Sequence, residues 1–172
     1  MMKKRLTSLA LSAMMVLSMV PATAFAAKDA GTPPTYNSAT GCYEISTPAQ
    51  LLYLAGKWKD GAPRDGHYVL TADIDMTGVK GFKPIASKKD QGFTGTFDGQ
   101  FHSIKGLRVE YEKKYAGLFG YVGNQDDQAY IKNVALLDCY VTGQQNVGAL
   151  AGVNYGTITD LSLIHISEPT RH

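Results

Sequence analysis

The chain predicts an all-β solenoid closed at its N-terminal end by one helix. Three observations carry that expectation. Side chains alternate with a period of two beyond Gly66, a strand-plus-turn segment returns at an interval of 27 residues, and glycines recur alongside it. A chain that copies itself at such an interval stacks coil on coil, because one coil cannot bury its apolar side alone.

The N-terminal stretch is read apart from the fold. Lys3, Lys4 and Arg5 precede an apolar run from Leu6 to Val20 and the small-residue segment Ala24, Phe25, Ala26. A basic start, an apolar run short for a bilayer and an A-x-A site predict a secretory signal peptide over residues 1–26. No cysteine follows the cleavage site directly, which disfavours a lipoprotein. The expected setting is therefore exported, either secreted or at a bacterial cell surface.

Removing that segment changes the charge. The chain holds 17 Lys+Arg and 15 Asp+Glu; the signal carries three of the former and none of the latter, leaving 14 against 15, a net of −1. No basic cluster with interleaved aromatics remains, so neither nucleic acid nor an anionic membrane is an expected partner. Membrane attachment after signal cleavage would need a C-terminal anchor.

The far end is also set apart. Leu161–Arg171, "LSLIHISEPTR", resembles the translation of a transposase sequencing adapter, so residues 161–172 are read as adapter-derived and the native chain as truncated near Asp160. The competing reading is a real strand placing Leu161, Leu163, Ile164 and Ile166 on a sheet. Under the first reading His165 and His172 leave the set of candidate ligands, and His67 and His102 remain.

Residues 27–40, "AKDAGTPPTYNSAT", are polar and without period, and read as a flexible leader, with structure expected to begin near Gly41. A first strand and the capping helix fill 41–66. In "TPAQLLYLAGKWKDG" Thr47 caps, Pro48 suits the first helical position and Gln50 is the capping-box partner. Leu51, Leu54, Ala55 and Trp58 then recur at helical spacing up to Gly61, giving an apolar stripe suited to covering the open end of a solenoid.

The coils are expected over 67–160. "HYVLTADIDM" sets Leu70, Ala72, Ile74 and Met76 against Val69, Thr71, Asp73 and Asp75, as in a half-buried strand. "SIKGLRVE", "YIKNVALL" and "TITDLSL" superpose Ile104, Ile131 and Ile158, each followed two residues later by a turn former, Gly106, Asn133 or Asp160. A second repeat, "TGTFDGQ", "YAGLFGYV" and "VGALAGVN", puts Phe97, Leu118 and Leu150 in one column and Gly99, Gly120 and Gly152 in another. Glycine columns are expected where stacked backbones approach closely or turn with positive φ. The alternative architecture is an antiparallel β-sandwich with Gly-rich hairpins.

"YAGLFGYV" and "NVGALAGVNYGTI" resemble GLUG repeats, and "FTGTFDGQFHSIKGLRV" resembles the first coils of pectate-lyase-like right-handed β-helices of secreted bacterial proteins. The resemblance covers about Tyr43 to Asp160. It implies a right-handed parallel β-helix in a secreted or surface protein. Some such regions belong to large IgA-protease-like metallopeptidases. Fold and setting follow from the resemblance, while activity does not.

Chemistry-bearing residues are few. Asp73, Asp75, Asp98 and His102 offer a carboxylate group that would suit Ca²⁺ or polysaccharide cleavage, against the plainer reading of turn residues and solvated side chains. No catalytic residue, metal site or obligatory cofactor is assigned. H-E-x-x-H, G-x-S-x-G, a phosphate loop and C-x-x-C are all absent from the sequence. Cys42 and Cys139 read as two separate buried thiols, the alternative being a disulfide, which export would permit and which needs Cα atoms within about 7 Å. Tyr111, Tyr115, Tyr121, Tyr140 and Tyr155 offer a stacking surface for sugars, though tyrosine also suits strands.

Two functions follow. One is a non-catalytic surface module, an adhesin-like stalk presenting a flat face to cell-wall or host glycans or to proteins. The other is the N-terminal region of a large exported enzyme, either a metallopeptidase or a polysaccharide-degrading β-helix.

Overall fold

The computed structural model describes residues 31–55 and 62–167. The expected signal peptide, Trp58 and Gly61 lie outside the described residues. Among the described residues the fold is a parallel β-solenoid of about three turns with one α-helix at its start.

β2 (Cys42–Ile45), β3 (His67–Leu70), β5 (Thr96–Asp98), β9 (Tyr130–Leu137) and β12 (Thr157–Ile164) lie side by side in parallel. Their registers stack Tyr43, Tyr68, Phe97, Ile131 and Ile158 in one inward column. Past a corner, β4 (Ile74–Asp75) and β6 (Ser103–Lys105) join the second half of β9, stacking Ile74, Ile104 and Leu136. β7 (Arg108–Ala116) pairs with β10 (Tyr140–Val147), and β8 (Phe119–Val122) with β11 (Ala151–Asn154), both in parallel. Apolar residues from all of these walls meet in one core, with Phe93, Phe97 and Phe119 packed ring to ring at 5.2–5.4 Å.

The registers revise the expected columns. Phe97 does not stack with Leu118 and Leu150; it belongs with Ile131 and Ile158. Ile104 does not stack with Ile131; it sits between Ile74 and Leu136. The cause is where each isoleucine sits in its coil. Ile131 lies before the corner, opposite Phe97, whereas Ile104 lies past it. The corner itself takes five positions from Asp98 to Ser103 but three from Lys132 to Ala135, where β9 turns at Asn133. The 27-residue spacing from Ile104 to Ile131 is therefore sequence similarity without stacking, while Ile131 and Ile158 are true partners. On β8 and β11, pairing of Phe119 with Ala151 and Tyr121 with Val153 sets Leu118 beside Leu150 and Gly120 beside Gly152.

Close approach, not positive φ, is what Gly99, Gly120 and Gly152 supply. An added Cβ at Gly152 would lie 2.7 Å from both the Tyr115 Cα and the Asn146 carbonyl oxygen. The left-handed turns fall to Gly106 and Asp138, and to Asn133 and Asp160, with φ of 52–67°. Asn and Asp adopt that region more readily than other side chains.

The N-terminal cap is a strand as well as a helix. β1 (Thr35–Asn37) pairs antiparallel with β2, so the fold begins before the expected boundary at Gly41. α1 (Pro48–Leu54) is capped by Thr47, whose Oγ1 accepts from the Gln50 amide at 3.3 Å. The Gln50 side chain accepts from the Ser46 amide at 2.8 Å, one residue earlier than a standard capping box, and donates to Thr35 Oγ1 at 3.2 Å. Leu51 and Leu54 enter the core beside Ile45. The helix ends at Ala55, short of the expected Gly61.

The predicted strand over 67–76 breaks at 71–73 to turn the corner, although Tyr68, Leu70, Ile74 and Met76 all remain buried. At the other end, β12 continues through Leu161–Ile164 in register with Val134–Leu137, with Leu161, Leu163 and Ile164 exposed. Cys139 is buried, but Cys42 is only half-buried, and both thiols are free.

Candidate functional site

The three candidate aspartates are engaged separately. Asp73 accepts from the Ser103 amide at 2.7 Å and the Ser103 hydroxyl at 3.1 Å, and His102 Nδ1 stands 3.5 Å away. Those serine bonds hold the Asp73 carboxyl below its ordinary range. Although Asp, His and Ser adjoin here, the hydroxyl donates straight to the carboxylate, so the histidine is not placed to deprotonate it. Asp75 caps a local turn through the Thr77 hydroxyl and amide, which lower it in turn. Asp98 ties its coil to the next. It accepts from the Gln100 amide at 2.8 Å and the Asn133 side chain at 3.0 Å, with Lys132 Nζ at 3.1 Å. Burial raises the Asp98 carboxyl, and the combined hydrogen bonds outweigh it, leaving a lowered value. Among the described residues no three His, Cys, Asp or Glu side chains converge as a metal-binding group.

The tyrosines divide into two groups. Tyr140 lies under the Arg108 guanidinium, 4.5 Å from its ring centroid, and Tyr111 lines a shallow hollow with Glu110, Glu112 and Thr142 on the β7–β10 wall. Tyr115, Tyr121 and Tyr155 form a separate stack. Tyr115 meets Tyr121 edge-on at 4.6 Å and 70°, and Tyr121 lies nearly parallel to Tyr155 at 6.3 Å and 15°. Tyr115 holds φ of 69°, an uncommon conformation for a bulky residue. Burial, then hydrogen bonding to Tyr115, pushes the Tyr121 phenol up to about 12.

Beside this stack opens a cleft of about 270 Å³ lined by Tyr121, Tyr155, Asp90, Asn124, Gln125 and Asp126, with Lys89 at its edge. Two turns form its polar rim, a 3-10 turn at Lys89–Gln91 and the loop from Gly123 to Asp127. In the loop, Asn124 Oδ1 accepts from the amides of Asp126 and Asp127 at 2.8 and 2.6 Å. Sequence reasoning singled out the tyrosines but missed this rim. Its only signal was the polar run "GNQDD" between two apolar strands.

The fold and site thus define a β-solenoid module with coil-tying carboxylates and an aromatic cleft on one wall. No protein-family model matches the chain. No solved structure matches it. Halomucin of Haloquadratum walsbyi is 33% identical over 137 residues, which is 72% of this chain and 2% of that protein. A protein named as a Gly-rich membrane protein in Evansella cellulosilytica is 33% identical over 130 residues, 70% of this chain and 14% of its own length. The chain spans a small part of these relatives.

Proposed function

We propose that this chain is a non-catalytic β-solenoid module of an exported, cell-surface protein, presenting its lateral wall to glycans or proteins outside the cell. The carrying observation is the use made of the carboxylates. Asp73 and Asp98 each accept hydrogen bonds from the following coil, and Asp75 closes a turn, so the side chains best suited to chemistry hold the coils together. The signal-like N-terminus, the GLUG-type glycine motifs and the names of the two relatives, one of them a membrane protein, support the surface setting.

The test is accessibility on intact cells. With an epitope tag appended after His172, the tag is expected to be cleaved by external protease and labelled by antibody without permeabilisation. Full protection of the tag, with the N-terminal segment still attached, overturns the surface reading. Release of reducing ends or peptides from cell-wall substrates by the purified chain overturns the non-catalytic part.

A further inference from the structure

The cleft beside Tyr155 combines a half-exposed aromatic ring with polar groups held by hydrogen bonds in the loop beside it. We infer that it is a saccharide subsite for a neutral, β-linked hexopyranose chain, with Tyr155 as the stacking platform and the carboxylates of Asp90 and Asp126 as acceptors for ring hydroxyls. The inference rests on the surface reading above and names the ligand class.

The platform is held in place before any ligand arrives. Tyr155 is 49% exposed, yet its amide donates to the Val122 carbonyl at 2.7 Å and its ring lies along Tyr121. Tyr121 is 5% exposed and is itself backed by Tyr115, so two rings beneath fix the third. A fixed ring loses little side-chain entropy on binding, which favours affinity from a small contact. A pyranose with equatorial hydroxyls presents flat C–H faces, and the exposed part of an aromatic ring is a suitable surface for them.

The rim supplies the polar half. Asn124 Nδ2 donates to the Asp127 carboxylate at 3.2 Å, and the Asn124 amide to the Asp127 carbonyl at 2.9 Å, so the loop is tied to itself. Asp126 takes part through its backbone amide, leaving its exposed carboxylate without a partner among the described residues. Asp90 is held through its backbone carbonyl, which accepts from Arg64 Nη1 at 3.2 Å, and its carboxylate is likewise free among the described residues. Carboxylate acceptors make the stronger class of hydrogen bond to hydroxyl groups. Two carboxylates against Lys89 give the cleft a net negative charge. That charge disfavours uronates and sialic acids and selects a neutral sugar. The cleft is smaller than pockets for drug-sized ligands, in keeping with one ring seated and its neighbours extending along the wall.

Calorimetric titration of the full chain with cellohexaose, chitohexaose and hexagalacturonate tests this. At least one neutral oligomer is expected to bind, and hexagalacturonate to bind at least about tenfold more weakly. Tyr155→Ala is expected to weaken the neutral oligomer about tenfold, Tyr155→Phe to retain it, and Asp126→Asn to weaken it about threefold. Binding unchanged in folded Tyr155→Ala overturns the inference, as does absence of binding by either neutral oligomer or equal binding of the uronate. Should Tyr155→Ala fail to fold, the exposed Asp90→Asn and Asp126→Asn decide, and no loss in either overturns it. Cell-surface accessibility is read independently: a displayed module without sugar affinity keeps the surface reading and loses this one.

Discussion

Gly99→Ala separates the two reasons a stacked coil has for glycine. The backbone at Gly99 is not left-handed, so an alanine there meets no φ penalty. Its Cβ, however, falls on the Asn133 carbonyl oxygen and 2.9 Å from both the Asn133 carbonyl carbon and the Val134 Cα, where ordinary contact begins at 3.4 Å. All of these are backbone atoms of the next coil, so no side chain can rotate away and the coils themselves must part. Parting stretches the bonds from Gly99 N to Lys132 O at 2.8 Å and from Phe101 N to Asn133 O at 3.1 Å. Losing both costs about 1–3 kcal/mol. The gap also loosens Phe97 against Ile131, since well under an ångström of separation already forfeits much of the dispersion between packed atoms. A total of about 3–4 kcal/mol is expected, a fall of roughly 10 °C in Tm for a domain of this size. The control is Gly41→Ala, where φ is 70° and nothing lies within 4 Å of an added Cβ. Conformation alone costs about 1 kcal/mol there. Urea unfolding followed by circular dichroism measures both variants, compared at equal slopes. If Gly99→Ala is no more destabilising than Gly41→Ala, coil-to-coil contact is not what the glycine provides.

Three further outcomes follow from the same contacts. Gln50→Ala removes the acceptor of the Ser46 amide and the donor to Thr35 from a largely buried site, and is expected to cost about 1–3 kcal/mol, with hydrogen exchange accelerating in β1 and α1 ahead of β9. Asp73, Asp75 and Asp98 all hold lowered values in the folded chain. The stability they contribute is therefore present above the ordinary carboxyl range and is lost as pH falls below about 4, and Asp98→Asn should flatten the acid limb of a pH–stability curve. Cys139 is buried and its thiol is pushed up by that burial, while Cys42 is half-buried. A disulfide reagent should titrate Cys42 in the native reduced protein and reach Cys139 only on unfolding; equal reactivity of both would contradict the packing around Cys139.

The parts of the fold legible in the sequence are those set by short-range physics. Thr47, Pro48 and Gln50 announce a helix start because capping is local, and the structure puts α1 there. Alternation in "HYVLTADIDM" foretold which side chains face inward, since period two survives even where the strand breaks at 71–73. Stacking register was less legible. Similar strings align by eye wherever isoleucine recurs, whereas the true partner of each residue depends on how many positions each corner takes up. Ile131 faces Phe97, while Ile104 lies past the corner on β6, where the two extra positions in the Gly99–His102 turn move its partner from Asp138 to Leu136. The antiparallel strand at Thr35–Asn37 was illegible for a different reason. A three-residue strand in a polar segment has no period, and only its pairing with Cys42–Glu44 makes it a strand.

The same contrast locates the candidate site. Where coils repeat closely, outward positions are either filled by the next coil or tied to it, as Asp98 is to Lys132 and Asn133. Where they differ, an extra stretch of chain must leave the wall. The Gly123–Asp127 loop is such a departure: the run from β8 to β9 needs it, whereas β11 passes to β12 through Tyr155 and Gly156 alone. The shorter connection leaves Tyr155 beside the longer one, and the mismatch between two successive coils opens the cleft. Shortening that loop, by deleting Gln125 and Asp126, should therefore remove the cleft while leaving the β8–β11 pairing and the tyrosine stack intact. Loss of fold in this variant, measured by its thermal melt, would show that the loop belongs to the coil's own closure and not to a surface feature added to it.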